Sequence, residues 1–308
     1  MQNTVVVAMD HNYIWGTYML IASMRCHQMP EPVIVLGFGL HEADKQALTA
    51  LGEVLVVDAE PSQRSLTCSK PDAMLLAKTD YVTWVDCDGF FTGNCSEKLL
   101  WPDPEMIHIR LREEPENAAV FRHLGKFRQT PPVILDVWRR DVGEREESRL
   151  STCCSACFMS LHRRHFPFLQ HWSEQIKRVL PSDDVGVVDR RSFAYFQTDE
   201  SVLNSLLCFA AEAPTVSPRY QLNMDPDALY VHFISHPKPW SCWTPRAFKY
   251  FAQYTAVLDW ARGQNLPLPG SIPLALRSDQ YWLNFLRSRV SVPIRKGNTL
   301  RRRLKRRS

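Results

Sequence analysis

Over its first ninety residues the chain alternates two hydrophobic periods, and that alternation restricts the fold more than any other feature. Strand-like runs at 4–8, 33–36 and 54–57 are separated by segments 14–28 and 41–51, where apolar residues recur at helical spacing. A short helical segment at 71–77 then precedes a run of bulky β-formers at 81–85. Strands separated by helices pair in parallel, with the helices covering the faces of the sheet, and ligands sit beyond the strand C-termini. The expected class is therefore α/β, a Rossmann-like domain on a mixed, mostly parallel central sheet. No Gly-x-Gly-x-x-Gly turn follows the first strand, so the fingerprint of a dinucleotide-binding sheet is missing.

From 101 to 150 the periodicity weakens in a stretch rich in Arg, Glu and Pro, expected to be an elaboration over the sheet. It returns as a strand at 153–161, helices at 167–179 and 200–211, a strand at 228–234, a helix at 245–262 and an amphipathic segment at 279–289. A chain of 308 residues accommodates one large domain with a short appendage. Its apolar runs are too short to cross a bilayer. The opening MQNTVVVAMD has no basic region before its apolar run and reads as a first strand, not a secretion signal. Nine cysteines, an odd number with several in apolar contexts, point to reduced thiols and a cytoplasmic setting. Cys153, Cys154 and Cys157 cluster without a second pair at zinc-binding spacing, which favours packing beside a strand.

The sharpest local feature is Tyr81-Val-Thr-Trp-Val-Asp86-Cys-Asp88-Gly. Two carboxylates directly after a buried strand project from its C-terminal end, where they suit a hard divalent cation that would clamp a diphosphate. Asp-x-Asp alone is common, and the chain has a second copy, Asp225-Pro-Asp227, whose polar, proline-containing surroundings read as a solvated turn. A second feature, Val231-His232-Phe-Ile-Ser235-His236-Pro-Lys238-Pro-Trp240, ends a strand and carries an imidazole and a lysine in a rigid Pro/Trp frame.

His-x-x-x-x-x-Lys-Pro-Trp downstream of an Asp-x-Asp strand resembles family 8 of the retaining glycosyltransferases, the group of glycogenin and the bacterial lipopolysaccharide galactosyltransferases. Further segments agree in order up to about residue 240. Asp10-His-Asn12-Tyr13 resembles the uridine-binding opening of the family, and Ser69-Lys70-Pro71 its basic segment near the donor. Cys154-Ser155-Ala156 falls where the family has Asn-(Ala/Ser)-Gly, and Asp199-Glu200-Ser-Val-Leu-Asn204 where it has a helix start at the sugar. The resemblance implies a single GT-A-type domain over 1–262, with 101–150 on the acceptor side, and an amphipathic, basic tail over 263–308. It implies a metal-dependent transferase that moves a hexose from a nucleotide-diphosphate sugar, in the first instance a UDP-sugar, to a glycan or glycolipid.

Carried over residue by residue, the resemblance assigns Asp86, Asp88 and His232 to Mn²⁺ or Mg²⁺, the imidazole suiting Mn²⁺ better. It assigns Asp10, Asn12 and Tyr13 to base and ribose, Lys70 and Lys238 to the phosphates, and Cys154, Ser155 and Ser235 to the donor. Asp199 and Glu200 would face the anomeric carbon, with a covalent intermediate and front-face attack both open. Three positions depart from the family pattern: Ser235 and Ala156 replace glycines with Cys154 in place of the amide, and Glu200 replaces a glutamine. The last two imply an altered donor sugar or a divergent member of low activity, and Ser235 with Cys154 makes a sugar-nucleotide-binding homologue without transferase activity the non-enzymatic rival. A sugar nucleotidyltransferase is the rival enzyme, but the Gly-rich phosphate loop it would bring is missing.

The tail is electrostatically separate. Ten of the 37 Lys and Arg lie between Arg287 and Ser308 with no acid, leaving 27 basic against 33 acidic residues in the body. Three aromatics in Gln280-Tyr281-Trp282-Leu283-Asn284-Phe285-Leu286 precede these cations, a combination suited to an anionic membrane surface at the inner face of the membrane. Nucleic-acid binding would use the same charge, but no recognition module precedes it. A solvated end is the third reading.

Overall fold

The structure, a computed structural model, describes residues 1–60, 64–100, 103–182, 192–217 and 228–290. Strand β1 (Asn3–Asp10) is buried along nearly its whole length, as a central parallel strand must be. It is followed by α1 (Ile14–Cys26), β2 (Val33–Phe38), α2 (Glu42–Thr49), β3 (Val54–Ala59), α3 (Lys70–Met74) and β4 (Tyr81–Val85). Next come β5 (Gly89–Phe91), α4 (Ser96–Leu99), β6 (Met106–Leu111), α5 (Glu114–Phe121) and α6 (Pro132–Val142). The last elements are β7 (Cys154–His162), α7 (Phe166–Val179), α8 (Asp199–Phe209), β8 (Thr215–Val216), β9 (Tyr230–His232) and α9 (Phe251–Gly263).

Seven strands form one sheet in the order β3-β2-β1-β4-β7-β6-β8. Every pairing is parallel except those of β7, which runs antiparallel to both neighbours. The sheet is thus mixed and mostly parallel, as expected. Residues alternate between its faces with period two. Val6, Ala8, Ile34, Leu36, Val82 and Trp84 join one core with residues of α3, α6, α7 and α8. Val5, Val7, Met9, Val33 and Val35 join the other with α1 and α9. Strand order reverses between β1 and β4, which opens a crevice at their C-terminal ends.

Three segments differ from expectation. The weakly patterned stretch 101–150 supplies β6, an inner strand between β7 and β8, as well as α5 and α6. Its strand is hidden in the sequence because two of its buried positions are polar, His108 and Arg110, the latter paired with Glu116. The strand expected at 228–234 is only β9, and it leaves the main sheet to pair antiparallel with β5. Residues 264–290, expected in the tail, pack against the domain: Trp243 Nε1 donates to the Ala275 carbonyl at 2.7 Å, and Tyr281 and Phe285 lie against Phe248. Residues 281–290 are helical; eight of the ten tail cations and the Asp225-Pro-Asp227 copy lie outside the described residues.

All nine cysteines are free, with Cys153, Cys154 and Cys157 buried in or beside β7 as packing. Among the described residues, no helix is long and apolar enough to cross a membrane.

Candidate active site

Strand β4 ends at Val85, and the next residues turn at the mouth of the crevice, carrying Asp86 and Asp88. The register of the small sheet brings the third residue: Gly89 of β5 stands opposite His232 of β9, and Phe233 N–H donates to the Asp88 carbonyl at 2.8 Å. Gly89 is required here, because any Cβ would run into the Tyr230 ring. That ring's hydroxyl donates to the Asp86 carbonyl at 2.8 Å, tying the motif to β9 from the other side.

Asp86, Asp88 and His232 each offer a ligand atom within 4.8 Å of the others. His232 Nε2 lies 2.8 Å from Asp88 Oδ1 and 3.7 Å from Asp86 Oδ2. Two carboxylates and one imidazole fit Mn²⁺ or Mg²⁺ by donor type. Lys238 Nζ contacts Asp88 Oδ2 and donates to the Phe233 carbonyl at 2.7 Å. Burial alone would raise the Asp88 pKa, but His232 and Lys238 outweigh it and hold the carboxyl well below the usual range. Burial likewise works against a charged His232, and Asp88 outweighs it, raising the imidazole well above its ordinary value.

Lys70 links this group to the next. Its buried ammonium lies 3.1 Å from Asp86 Oδ1 and 3.2 Å from Asp199 Oδ2, and donates to the Ala156 carbonyl at 3.0 Å. Burial lowers its pKa, and Asp199 and Asp86 reverse that and raise it. Asp86 Oδ1 also accepts from Trp84 Nε1 at 2.8 Å. Burial raises the Asp199 carboxyl even with Lys70 beside it. Asp199 opens α8 directly after Thr198, a buried β-branched residue at φ 47°, a left-handed conformation that costs about 1–3 kcal/mol.

Glu200 is also paired. Arg112, one residue past β6, donates to Glu200 Oε1 at 2.6 Å, and the Ala156 N–H donates to Oε2 at 2.9 Å. Cys154 has no side-chain exposure, and both its backbone N–H and carbonyl are bonded by Asn204. What this stretch offers the crevice is Ser155 and the Ala156 peptide, not the Cys154 thiol.

On the opposite wall Asp10 accepts from the Asn12 N–H at 3.0 Å and from its side-chain amide at 3.2 Å, ordering the turn after β1. Tyr13 packs edge-on to Trp240 with ring centroids 5.5 Å apart. Burial and the nearby Asp88 raise its hydroxyl pKa. Trp240 in turn covers Gly16 of α1. Ser235 is exposed beyond β9 and contributes no buried contact to this group.

The structure therefore links Lys238, Asp88, His232, Asp86, Lys70 and Asp199 in one chain of alternating charge, with Glu200 beside Asp199 in sequence and paired separately with Arg112. It sets Asp10, Asn12 and Tyr13 on a neighbouring wall and leaves Ser235 at the rim. Sequence reasoning missed Arg112, Trp84, Tyr230 and Asn204. Asn204 and Trp84 stood within recognised motifs without a role being read for either, and Arg112 and Tyr230 bear no local signature.

No family model matches the sequence, and no curated protein is similar to it by sequence. Solved structures are similar in fold. The galactosyltransferase LgtC, in complex with donor and acceptor sugar analogues, has a TM-score of 0.51 at 16% identity, over 85% of this chain and 99% of that one. The bifunctional glycosyltransferase WbbM has a TM-score of 0.57 at 13% identity, over 92% of this chain but 52% of that one. The glycosyltransferase GlyE of Streptococcus pneumoniae TIGR4 has a TM-score of 0.53 at 13% identity, over 88% and 66%. This chain spans about half the length of WbbM and slightly under two thirds of GlyE, but nearly all of LgtC. The likeness is one of fold: the chain has the GT-A-type, Rossmann-like architecture of these enzymes.

Proposed function

We propose that the protein is a metal-dependent retaining glycosyltransferase that moves a hexose from a nucleotide-diphosphate sugar, most simply a UDP-sugar, to a glycan acceptor. The observation that carries this reading is the meeting of Asp86, Asp88 and His232 at the crevice mouth, with Lys238 at their side. These three residues would hold Mn²⁺ or Mg²⁺, which when bound supplies charge stabilisation for a departing diphosphate. Lys238 would add a second positive charge to the same leaving group, and preorganised charge of this kind lowers a barrier by on the order of several kcal/mol. Asp10, Asn12 and Tyr13 form the wall for base and ribose. Asp199, held by Lys70, presents a carboxylate toward the sugar that would stabilise an oxocarbenium-like centre. The acceptor enters on the side of 101–150 under this reading.

A second reading, a sugar-nucleotide-binding homologue without transfer, draws support from one feature: both candidate catalytic carboxylates are committed to buried cations. A donor screen with Mn²⁺, following UDP or GDP release from a panel of sugar nucleotides, separates the two. Release from one donor, lost in Asp88→Ala and in EDTA, is the result expected of a transferase hydrolysing its donor slowly. Tight binding with no release under any acceptor would favour the second reading, and no binding of any sugar nucleotide would overturn both. An inverted linkage in the product, read by NMR, would overturn retention.

The surface partner proposed is an anionic membrane. Trp282 is 74% exposed and Leu286 62%, and Arg287 and Arg289 lie on the same helical segment. Such a surface suits a lipid-linked glycan as acceptor.

A further inference from the structure

We infer that Arg112 is a positioning residue for the donor sugar, holding Glu200 as a hydrogen-bond acceptor that selects a sugar hydroxyl and removing it from nucleophilic duty. The inference rests on the transferase reading above.

The pair is part-buried, with Arg112 12% and Glu200 15% exposed at their side chains. Its geometry uses both carboxylate oxygens: Oε1 takes the guanidinium at 2.6 Å and Oε2 takes the Ala156 N–H at 2.9 Å. The same guanidinium donates through its other nitrogen to the Cys154 carbonyl at 2.9 Å, so it is fixed at two points. The Arg112 backbone is fixed as well, its N–H donating to the Cys153 carbonyl and its carbonyl accepting from Thr152 Oγ1. Glu200 is anchored from behind, where Asn204 joins the Glu200 carbonyl to Cys154.

A carboxylate engaged this way has a low tendency to attack carbon, because its charge is shared with a guanidinium and an amide. Its free lone pairs still accept, and it has no hydrogen to give. A side-chain amide at the same place would both accept and donate. The floor of the sugar pocket here is therefore an acceptor only. It favours a sugar that turns a hydroxyl toward it and disfavours one that turns an N-acetyl carbonyl toward it.

The test is calorimetric binding in Mn²⁺ of UDP, UDP-glucose, UDP-galactose, UDP-N-acetylglucosamine and UDP-glucuronate, repeated with GDP conjugates if the donor screen selects GDP. It uses the wild type, Arg112→Lys, Glu200→Gln and the double variant Arg112→Met/Glu200→Gln, the last of which leaves no unpaired buried charge. The quantity read is the ratio of nucleotide to nucleotide-sugar Kd. Wild type is expected to favour an unsubstituted hexose. The double variant is expected to hold the free nucleotide within about twofold while the hexose advantage falls about tenfold, the worth of a charged hydrogen bond. Glu200→Gln frees the guanidinium and is expected to shift preference toward glucuronate, with Arg112→Lys intermediate. Equal ratios in all folded variants would overturn the role of Arg112 while leaving the transferase reading intact. A wild type that binds neither nucleotide nor any nucleotide sugar would overturn both.

Discussion

Lys70 sits between acids from two separate parts of the chain, Asp86 and Asp199, and is nearly without solvent contact. A buried ammonium is costly unless its partners are close and well aligned, and removing one member of such a group leaves the others uncompensated. Lys70→Met should therefore lower unfolding free energy by about 3–5 kcal/mol in urea titration. Adding Asp199→Asn should recover part of that loss, because one stranded charge is then removed. A loss below about 1 kcal/mol for the single variant would mean that the ammonium is not holding Asp86 and Asp199 together. The sequence made Lys70 visible through its neighbours Ser69 and Pro71, and it suggested phosphate contact. What it did not convey is the burial, which is set by strands and helices that converge from distant positions.

At the scale of elements, α1 and the turn after β4 meet at Gly16. A Cβ there would stand 2.6 Å from the Cys87 carbonyl and 2.6 Å from the Trp240 ring. Gly16→Ala should cost about 1–3 kcal/mol by overpacking, despite the better helix propensity of alanine. It should also weaken Mn²⁺ binding, since Cys87 lies between Asp86 and Asp88; unchanged stability and metal affinity would refute the close approach. Strand β6 offers a different handle. Burial pulls His108 from its ordinary 6.5 down to about 4. The unfolded chain then binds the extra proton first, so stability is complete above about pH 6.5 and is lost as pH falls toward 4. Urea midpoints at pH 7 and pH 4.5 should diverge less in His108→Asn than in wild type; an equal divergence would exclude His108 as a source of acid sensitivity. The same residue explains what the sequence concealed. Runs of valine made β1 to β4 legible, whereas His108 and Arg110 disguise β6 as a surface segment, and Arg112 was hidden with it. His232 was legible from its Lys-Pro-Trp setting, but its route to the acids, a two-stranded ribbon with β5, has no local signal.

At the scale of the whole molecule, an acidic body carries a strongly basic end. Wild-type protein should float with vesicles containing phosphatidylserine and not with neutral ones, and should release as salt rises, since screening shortens the reach of each charge. Removing 291–308 and replacing Trp282 by Ser should each weaken flotation, and the double change should abolish it; binding indifferent to lipid charge would remove the membrane from the account. The ribbon of β5 and β9 has a consequence of its own. It joins residue 89 to residue 232, so a chain emerging from the ribosome has made its first four strands long before the third ligand exists. Until that point a divalent ion would meet only two bare aspartates on a growing sheet. On the proposed reading, product interrupted short of residue 232 would then be inert toward a nucleotide sugar and not a slow competitor for it, because engagement would wait for the third ligand.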